Sequence, residues 1–139
     1  MKKKIRTILA LSLCVIFLIA LAGCSAEKLS TEKLRDIDFT VVDENDIPEE
    51  LEEKIDEKEE QPFKLTYADN GELYIAVGYG EQPPTGYSIQ VTELYESKNA
   101  IYVQTNLIGP SKEEKILERK THPYIVVKLE HVDKNVVFE

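Results

Sequence analysis

Apolar and polar residues alternate through most of the chain's second half. Phe63, Leu65 and Tyr67 form one alternating run, which ends at Ala68-Asp69-Asn70-Gly71; Leu73, Ile75, Val77 and Tyr79 form the next. A period of two is the signature of a half-buried strand, and Asn-Gly between two such runs is a strong hairpin-turn signal. Tyr87, Ile89 and Val91 open a third run that continues to Tyr95. After a turn at Ser97-Lys98-Asn99, the chain returns through Ile101, Val103, Thr105 and Leu107. These runs predict an antiparallel meander with one buried face. Tyr124 to Glu130 is a further long strand. Its Val126-Val127 pair breaks the alternation and so predicts a central strand covered on both faces, and Asn135-Val136-Val137-Phe138 closes the chain. Upstream, Ile37-Asp38-Phe39-Thr40-Val41 alternates strictly and predicts one more half-buried strand.

Asp43 to Glu60 breaks this pattern. It carries eleven acidic and two basic residues, a net charge of −9. Pro48 suits the first turn of a helix, with Asp46 or Ile47 at its cap; Ile47, Leu51 and Ile55 make a narrow apolar stripe, and Pro62 stops the helix. A helix over 47–60 with its stripe on a sheet and its other faces in water follows. The acidic run could instead bind a metal or a partner, but an EF-hand loop needs its ligands spaced around a Gly, and no Gly occurs here.

The N-terminus is of another kind. Lys2-Lys3-Lys4-Ile5-Arg6 precedes an apolar run from about Ile8 to Ala22, then Leu21-Ala22-Gly23-Cys24. A basic stretch, an apolar stretch and small residues before a cut describe a secretory signal over 1–23. Leu-Ala-Gly-Cys resembles the lipobox of bacterial lipoprotein signals, which implies acylation of the Cys24 thiol. The expectation is therefore a bacterial cell-envelope protein, extracytoplasmic and held to the membrane by lipid, with 24–36 as a polar tether. More than one acyl chain on one residue gives stable anchoring. Cys14 leaves with the signal, so an acylated Cys24 leaves no thiol for a disulfide, metal site or nucleophile.

Processing also sharpens the charge. Four of the seventeen basic residues lie in the signal, leaving thirteen against twenty-six acidic ones, a net of −13 over 116 residues. That is one domain's worth of chain, and its charge argues against nucleic acid as a partner. Candidate chemistry is sparse. Of the two histidines, His122 precedes Pro123 and His131 follows a strand; no serine sits in a G-x-S-x-G turn, and Ser88 enters a strand. Two histidines and scattered carboxylates do not make a metal site. The reading is therefore no enzyme, no cofactor and no metal.

What remains is a shaped loop. Gly78, Gly80, Pro83, Pro84 and Gly86 crowd the link between two strands, as Gly78-Tyr79-Gly80-Glu81-Gln82-Pro83-Pro84-Thr85-Gly86-Tyr87-Ser88-Ile89. Prolines fix φ, and glycines reach conformations closed to other residues. With the later His122-Pro123-Tyr124-Ile125-Val126-Val127-Lys128, this loop resembles the PrcB C-terminal domain family, whose members carry a G-x-x-P-T/S-G-G-Y-S-I loop and a Y-P-Y-x-V-V strand. The resemblance covers roughly Phe63 to Phe138. It implies a non-catalytic surface lipoprotein associated with an extracytoplasmic protease. Pro84-Thr85-Gly86-Tyr87 is also similar to the N-P-T-T-G-Y loop of chagasin-type cysteine protease inhibitors, and His122-Pro123-Tyr124 to their R-P-W loop; that likeness implies an immunoglobulin-like sandwich whose end loops plug a protease cleft.

The expected fold is mainly β (α+β): an antiparallel sandwich or barrel-like sheet of about seven strands over 37–139, with one acidic amphipathic helix. The candidate partner-binding residues are Pro83, Pro84, Thr85, Gly86, Tyr87, Gly109, Pro110, His122, Pro123 and Tyr124. A purely structural envelope lipoprotein, with these turns serving only the fold, stands as the alternative. The discriminating feature is proximity: loops at opposite ends of the domain would not make one surface.

Overall fold

The structure is a computed structural model that describes residues 3–4 and 27–139. Cys24, the lipobox and nearly all of the expected signal lie outside the described residues. Within residues 27–139, eight strands and one α-helix follow in chain order: β1 (Arg35–Asp36), β2 (Thr40–Val41), α1 (Glu49–Asp56), β3 (Pro62–Asp69), β4 (Glu72–Tyr79), β5 (Ser88–Glu96), β6 (Ala100–Ile108), β7 (Tyr124–Glu130) and β8 (Asn135–Phe138). They form two four-stranded sheets, ordered β1-β5-β6-β8 and β2-β7-β4-β3. All pairings are antiparallel except β6–β8, which is parallel. The expected sandwich is thus the architecture.

The connectivity departs from a simple meander. The β3–β4 and β5–β6 hairpins form as the alternation predicts, and Asn70 (φ 49°) with Gly71 (φ 76°) makes the first turn. Yet β4 and β5 belong to different sheets, so the Pro/Gly segment between them is a sheet-to-sheet crossover. Period-two alternation reports a strand's buried face, not which neighbour it pairs with.

Residues 35–41 correct a second expectation. Asp36 pairs with Tyr95 in one sheet, while Thr40 pairs with Lys128 in the other. The Ile37 N–H donates to the Leu94 carbonyl at 3.0 Å, and the Val42 N–H to the Val126 carbonyl at 2.9 Å. The alternating stretch is therefore a link lacing the two sheets together along one side. Ile37 enters the core, whereas Phe39 and Val41 remain exposed, because the chain changes sheets after Ile37.

Between the sheets lies the main core, built from Ile75, Val77, Leu94, Ile101, Val103 and Val127 with their neighbours. A second core lies on the opposite face of the β2-β7-β4-β3 sheet, where Ile47, Leu51 and Ile55 meet Phe63, Ala76 and Val126. Val126 and Val127 thus point into different cores, as their unbroken apolar pair predicts. Leu51 and Ile55 are fully buried, each stabilising the fold by about 1.5–3 kcal/mol. The helix is shorter than the predicted 47–60: a 3-10 turn (Glu44–Asp46) precedes it, Pro48 caps it, and it ends at Asp56. Only the stretch whose Leu51 and Ile55 reach the sheet stays α-helical. The Tyr67 hydroxyl donates to Glu50 Oε2 at 2.8 Å, which pins the helix to β3 and pushes the Tyr67 phenol up to about 12.

Gly78 shows what holds the second core at one end. It pairs with Phe63 on β3 and Tyr124 on β7, and the two rings stand 6.4 Å apart across it. A Cβ at Gly78 would fall 2.2 Å from the Phe63 ring. Its φ is not in the left-handed region, which only Gly71, Gly80 and Gly86 occupy among the described glycines. Space, not backbone freedom, requires this glycine. Replacing Gly78 by Ala is expected to cost about 1–3 kcal/mol in denaturant unfolding. The double change with Phe63→Ala should cost less than the sum of the two singles, since the clash disappears with the ring.

In the other sheet, at the end of β5, Glu96 joins three segments. Its carboxylate accepts from Arg35 Nε at 2.6 Å and from Lys134 Nζ at 2.6 Å, and Lys134 also donates to the Ser97 carbonyl. Lys134 first, then Arg35, holds the Glu96 carboxyl below its ordinary value, against the opposing effect of burial. A carboxyl depressed in the folded state contributes stability that is present above its unfolded value, about 4.3, and is lost as pH falls through the folded one. Urea midpoints followed from pH 7 to pH 3 should therefore fall in the acid limb. Glu96→Gln should flatten that limb while lowering the plateau.

Candidate functional site

The three segments singled out by sequence lie together at one end of the sandwich. The crossover 80–87 leaves β4, the strap 109–121 joins β6 to β7, and 122–124 enters β7. Gln82 and Thr121 form an isolated antiparallel bridge, exchanging N–H to carbonyl bonds of 2.8 and 2.9 Å. The Thr85 N–H donates to the Leu117 carbonyl at 3.0 Å, and Thr85 Oγ1 accepts from the Leu117 N–H at 2.9 Å. Thr121 Oγ1 donates to the Pro84 carbonyl at 3.1 Å. The crossover and the strap are thus tied at two places.

The turn chemistry permits this approach. Gly86 has φ +95°, and a Cβ on it would lie 2.7 Å from the Pro110 Cβ. Two features therefore demand glycine there: a left-handed backbone and contact with the strap. The half-buried Tyr87 ring lies against Gly109, whose Cβ, if present, would stand 3.6 Å from Tyr87 Cε1. Pro83 is exposed, and Pro84, Thr85 and Pro110 are half-buried.

Of the ten candidate residues, Pro83 to Tyr87 with Gly109 and Pro110 form one continuous surface. His122, Pro123 and Tyr124 are placed differently. The Pro123 carbonyl accepts from the Tyr79 N–H at 3.1 Å, which continues the β4–β7 ladder. Tyr124 packs in the core under α1 beside Phe63, and burial, then the carboxylates of Glu44 and Asp56, push its phenol up. His122 sits between Glu59 and Glu81, with Nδ1 3.8 Å from one carboxylate and Nε2 3.9 Å from the other, and its Nε2 is buried without a hydrogen-bond partner. Lys120 pairs with Glu81 at 2.9 Å. This side faces the acidic helix across a cleft of about 470 Å³. Among the described residues no three His, Cys, Asp or Glu side chains converge as a metal site would need.

Sequence reasoning missed two residues on the outer surface. Ile116 and Leu117 are 44% and 60% exposed, with Ile108 at 44% near the base of the strap. They sit in or beside a stretch read only as polar and charged. Two consecutive apolar residues within seven charged ones (Lys112, Glu113, Glu114, Lys115, Glu118, Arg119 and Lys120) were the available signal. Together with Pro83 and Tyr87 they give the loop end an apolar, partly aromatic character, ringed by charge.

The Thr85–Leu117 clasp makes this arrangement testable. Thr85→Val keeps the shape but removes the acceptor for the Leu117 N–H. The expected loss is about 1 kcal/mol, with faster exchange of the Leu117 amide and little change in the β4–β7 amides. Equal acceleration across β7 would show that the clasp is not local.

Residues 73–130 match the family model described as PrcB C-terminal. The match runs from β4 through β7 and takes in the crossover, the strap and the His122–Tyr124 entry. No curated protein and no solved structure matched the chain.

Proposed function

We propose, from the match of residues 73–130 to the family model described as PrcB C-terminal, a non-catalytic binding domain, held to the outside of a bacterial membrane by lipid on Cys24, that docks on an extracytoplasmic protease or another envelope protein through its loop end. One observation carries the reading: two separate segments, the crossover and the strap, are hydrogen-bonded into a single end surface with exposed apolar groups at Pro83, Ile116 and Leu117, and at Ile108 near its base. Loops already tied to one another lose little conformational entropy on docking, and a half-buried aromatic such as Tyr87 can serve as anchor. The charged ring around the apolar centre is the usual composition of an interface rim.

The lead-in supports the same orientation. Ser30 N–H donates to Asn99 Oδ1 at 2.9 Å, and Asn99 Nδ2 donates to the Lys28 carbonyl at 3.1 Å. The end of the expected tether is therefore bound to the β5–β6 turn, with Arg35–Asp36 forming β1. That turn is the opposite end of β5 from Tyr87. At about 3.3 Å per residue, the nine residues of β5 hold the loops roughly 30 Å from the point where the lead-in docks. A membrane anchor at Cys24 would leave the loop end facing outward.

The test is made with the full chain in bacterial envelopes. An alkyne fatty-acid label should mark the wild type and not Cys24→Ala. Cross-linked capture should recover an envelope protease subunit, and the Tyr87→Ala/Leu117→Ala double variant should lower that recovery by about tenfold or more. Recovery of no protease, or equal recovery with the variant, sinks the docking reading. Loss of papain-like protease activity on titration with the purified domain would instead favour the inhibitor use of the same loops.

A further inference from the structure

An unpaired stretch of backbone lies beside the loops, on the edge of β6. β8 pairs with β6 only over Ala100 to Val103, and its register ends at Val103↔Phe138. The Val103 carbonyl accepts from the Glu139 N–H at 3.0 Å, so the Val103 backbone faces the β8 side. The Gln104 carbonyl accepts from Thr92 Oγ1 on β5 and so faces the other way. Backbone groups alternate sides along a strand, and the bulge in this pairing lies on β5, not β6. Thr105 and Leu107 therefore direct their N–H and carbonyl groups to the β8 side, where no strand accompanies them among the described residues.

This free edge borders a cleft between the sheets. The cleft has a volume of about 380 Å³, and its lining includes Val77, Tyr79 and Thr105, with Lys64 and Glu139 also at its wall. The Tyr79 hydroxyl and Thr105 Oγ1 lie 2.7 Å apart, bonding one sheet to the other. The cleft is thus apolar along one wall, while its other border is a row of backbone donors and acceptors.

We propose that the β6 edge from Gln104 to Ile108 takes up an extended segment of a partner polypeptide by strand addition, on the line that β8 leaves. Only another main chain supplies donors and acceptors at the spacing of Thr105 and Leu107, and alternate side chains of an extended segment can enter the cleft. Five residues of edge span roughly 17 Å, enough for a five-residue segment. The site extends the docking surface proposed above, because β6 runs directly into Gly109-Pro110. It rests on that reading for its biological partner but is tested apart from it.

The probe is the peptide acetyl-Thr-Val-Thr-Val-Thr-amide, and the readout is amide exchange and chemical shift in the purified domain. In the free protein, Thr105 and Leu107 amides should exchange about tenfold or more faster than that of Asn106, which faces β5. Millimolar peptide should slow both and shift their signals, whereas the same peptide N-methylated at its valines should do neither. Leu107→Pro removes an N–H that faces away from β5, so the β5–β6 amides should stay protected while the peptide response disappears. Tyr87→Ala should leave the peptide response intact, which separates this edge from the loops. Slow exchange of both amides in the free monomer, no response to the peptide, or an equal response to the N-methylated form overturns the proposal. Concentration-dependent protection without peptide, with a dimer mass, overturns it in favour of self-pairing.

Discussion

The structure depends on one sheet being covered on both of its faces. β7 and β4 lie inside the β2-β7-β4-β3 sheet, and their successive residues serve two cores: Val127 and Ile75 toward the other sheet, Val126 and Ala76 toward α1. An acidic eight-residue helix has little intrinsic reason to persist alone in water. Here it persists because Ile47, Leu51 and Ile55 find a prepared surface, while the carboxylates spread over its remaining faces. The helix in turn fixes the height at which Phe63 and Tyr124 pack across Gly78. That packing sets the exit of β4 and the entry of β7, the two points from which the crossover and the strap depart. The loop end is therefore positioned by the core from which these two strands emerge.

Much of this was legible in the sequence. Strand identity, the Asn70-Gly71 turn, the buried stripe of α1 and the double-sided character of Val126-Val127 all follow from local spacing, because each depends on which face of an element meets water. Partner choice does not follow from spacing. β4 and β5 are adjacent in sequence and look like a continuing meander, yet the crossover carries the chain between sheets. The stretch at 37–41 alternates well, but its two ends bond to different sheets, so only Ile37 is buried. At the loop end, glycines and prolines marked the right segments. They could not show that Tyr124 turns inward, or that Leu117 turns outward from a charged run. Both outcomes are set by long-range hydrogen bonds, those of Thr85 and Gln82 to the strap and of Tyr79 to Pro123.

Charge follows the same division. The acidic helix and the His122 side make a polar flank, where Lys120, Glu81 and Glu59 surround an imidazole without a direct hydrogen bond at Nε2. The surface formed by Pro83, Tyr87, Ile116 and Leu117 is apolar by contrast. A domain this acidic gains solubility and separation from other polyanions through its net charge. Specific contact is left to a small area where apolar groups break through that charge.

The docking of the lead-in at Asn99 has a mechanical consequence. With residue 28 fastened near one end of β5 and the loops at the other, tension between them runs along the strand axis. The load enters through β1, so it falls first across the β1–β5 hydrogen bonds, a pairing of only two residues on each strand. The short β1 pairing and the Asn99 clip would give way first under such a pull, lengthening the lead-in before the sandwich is stressed.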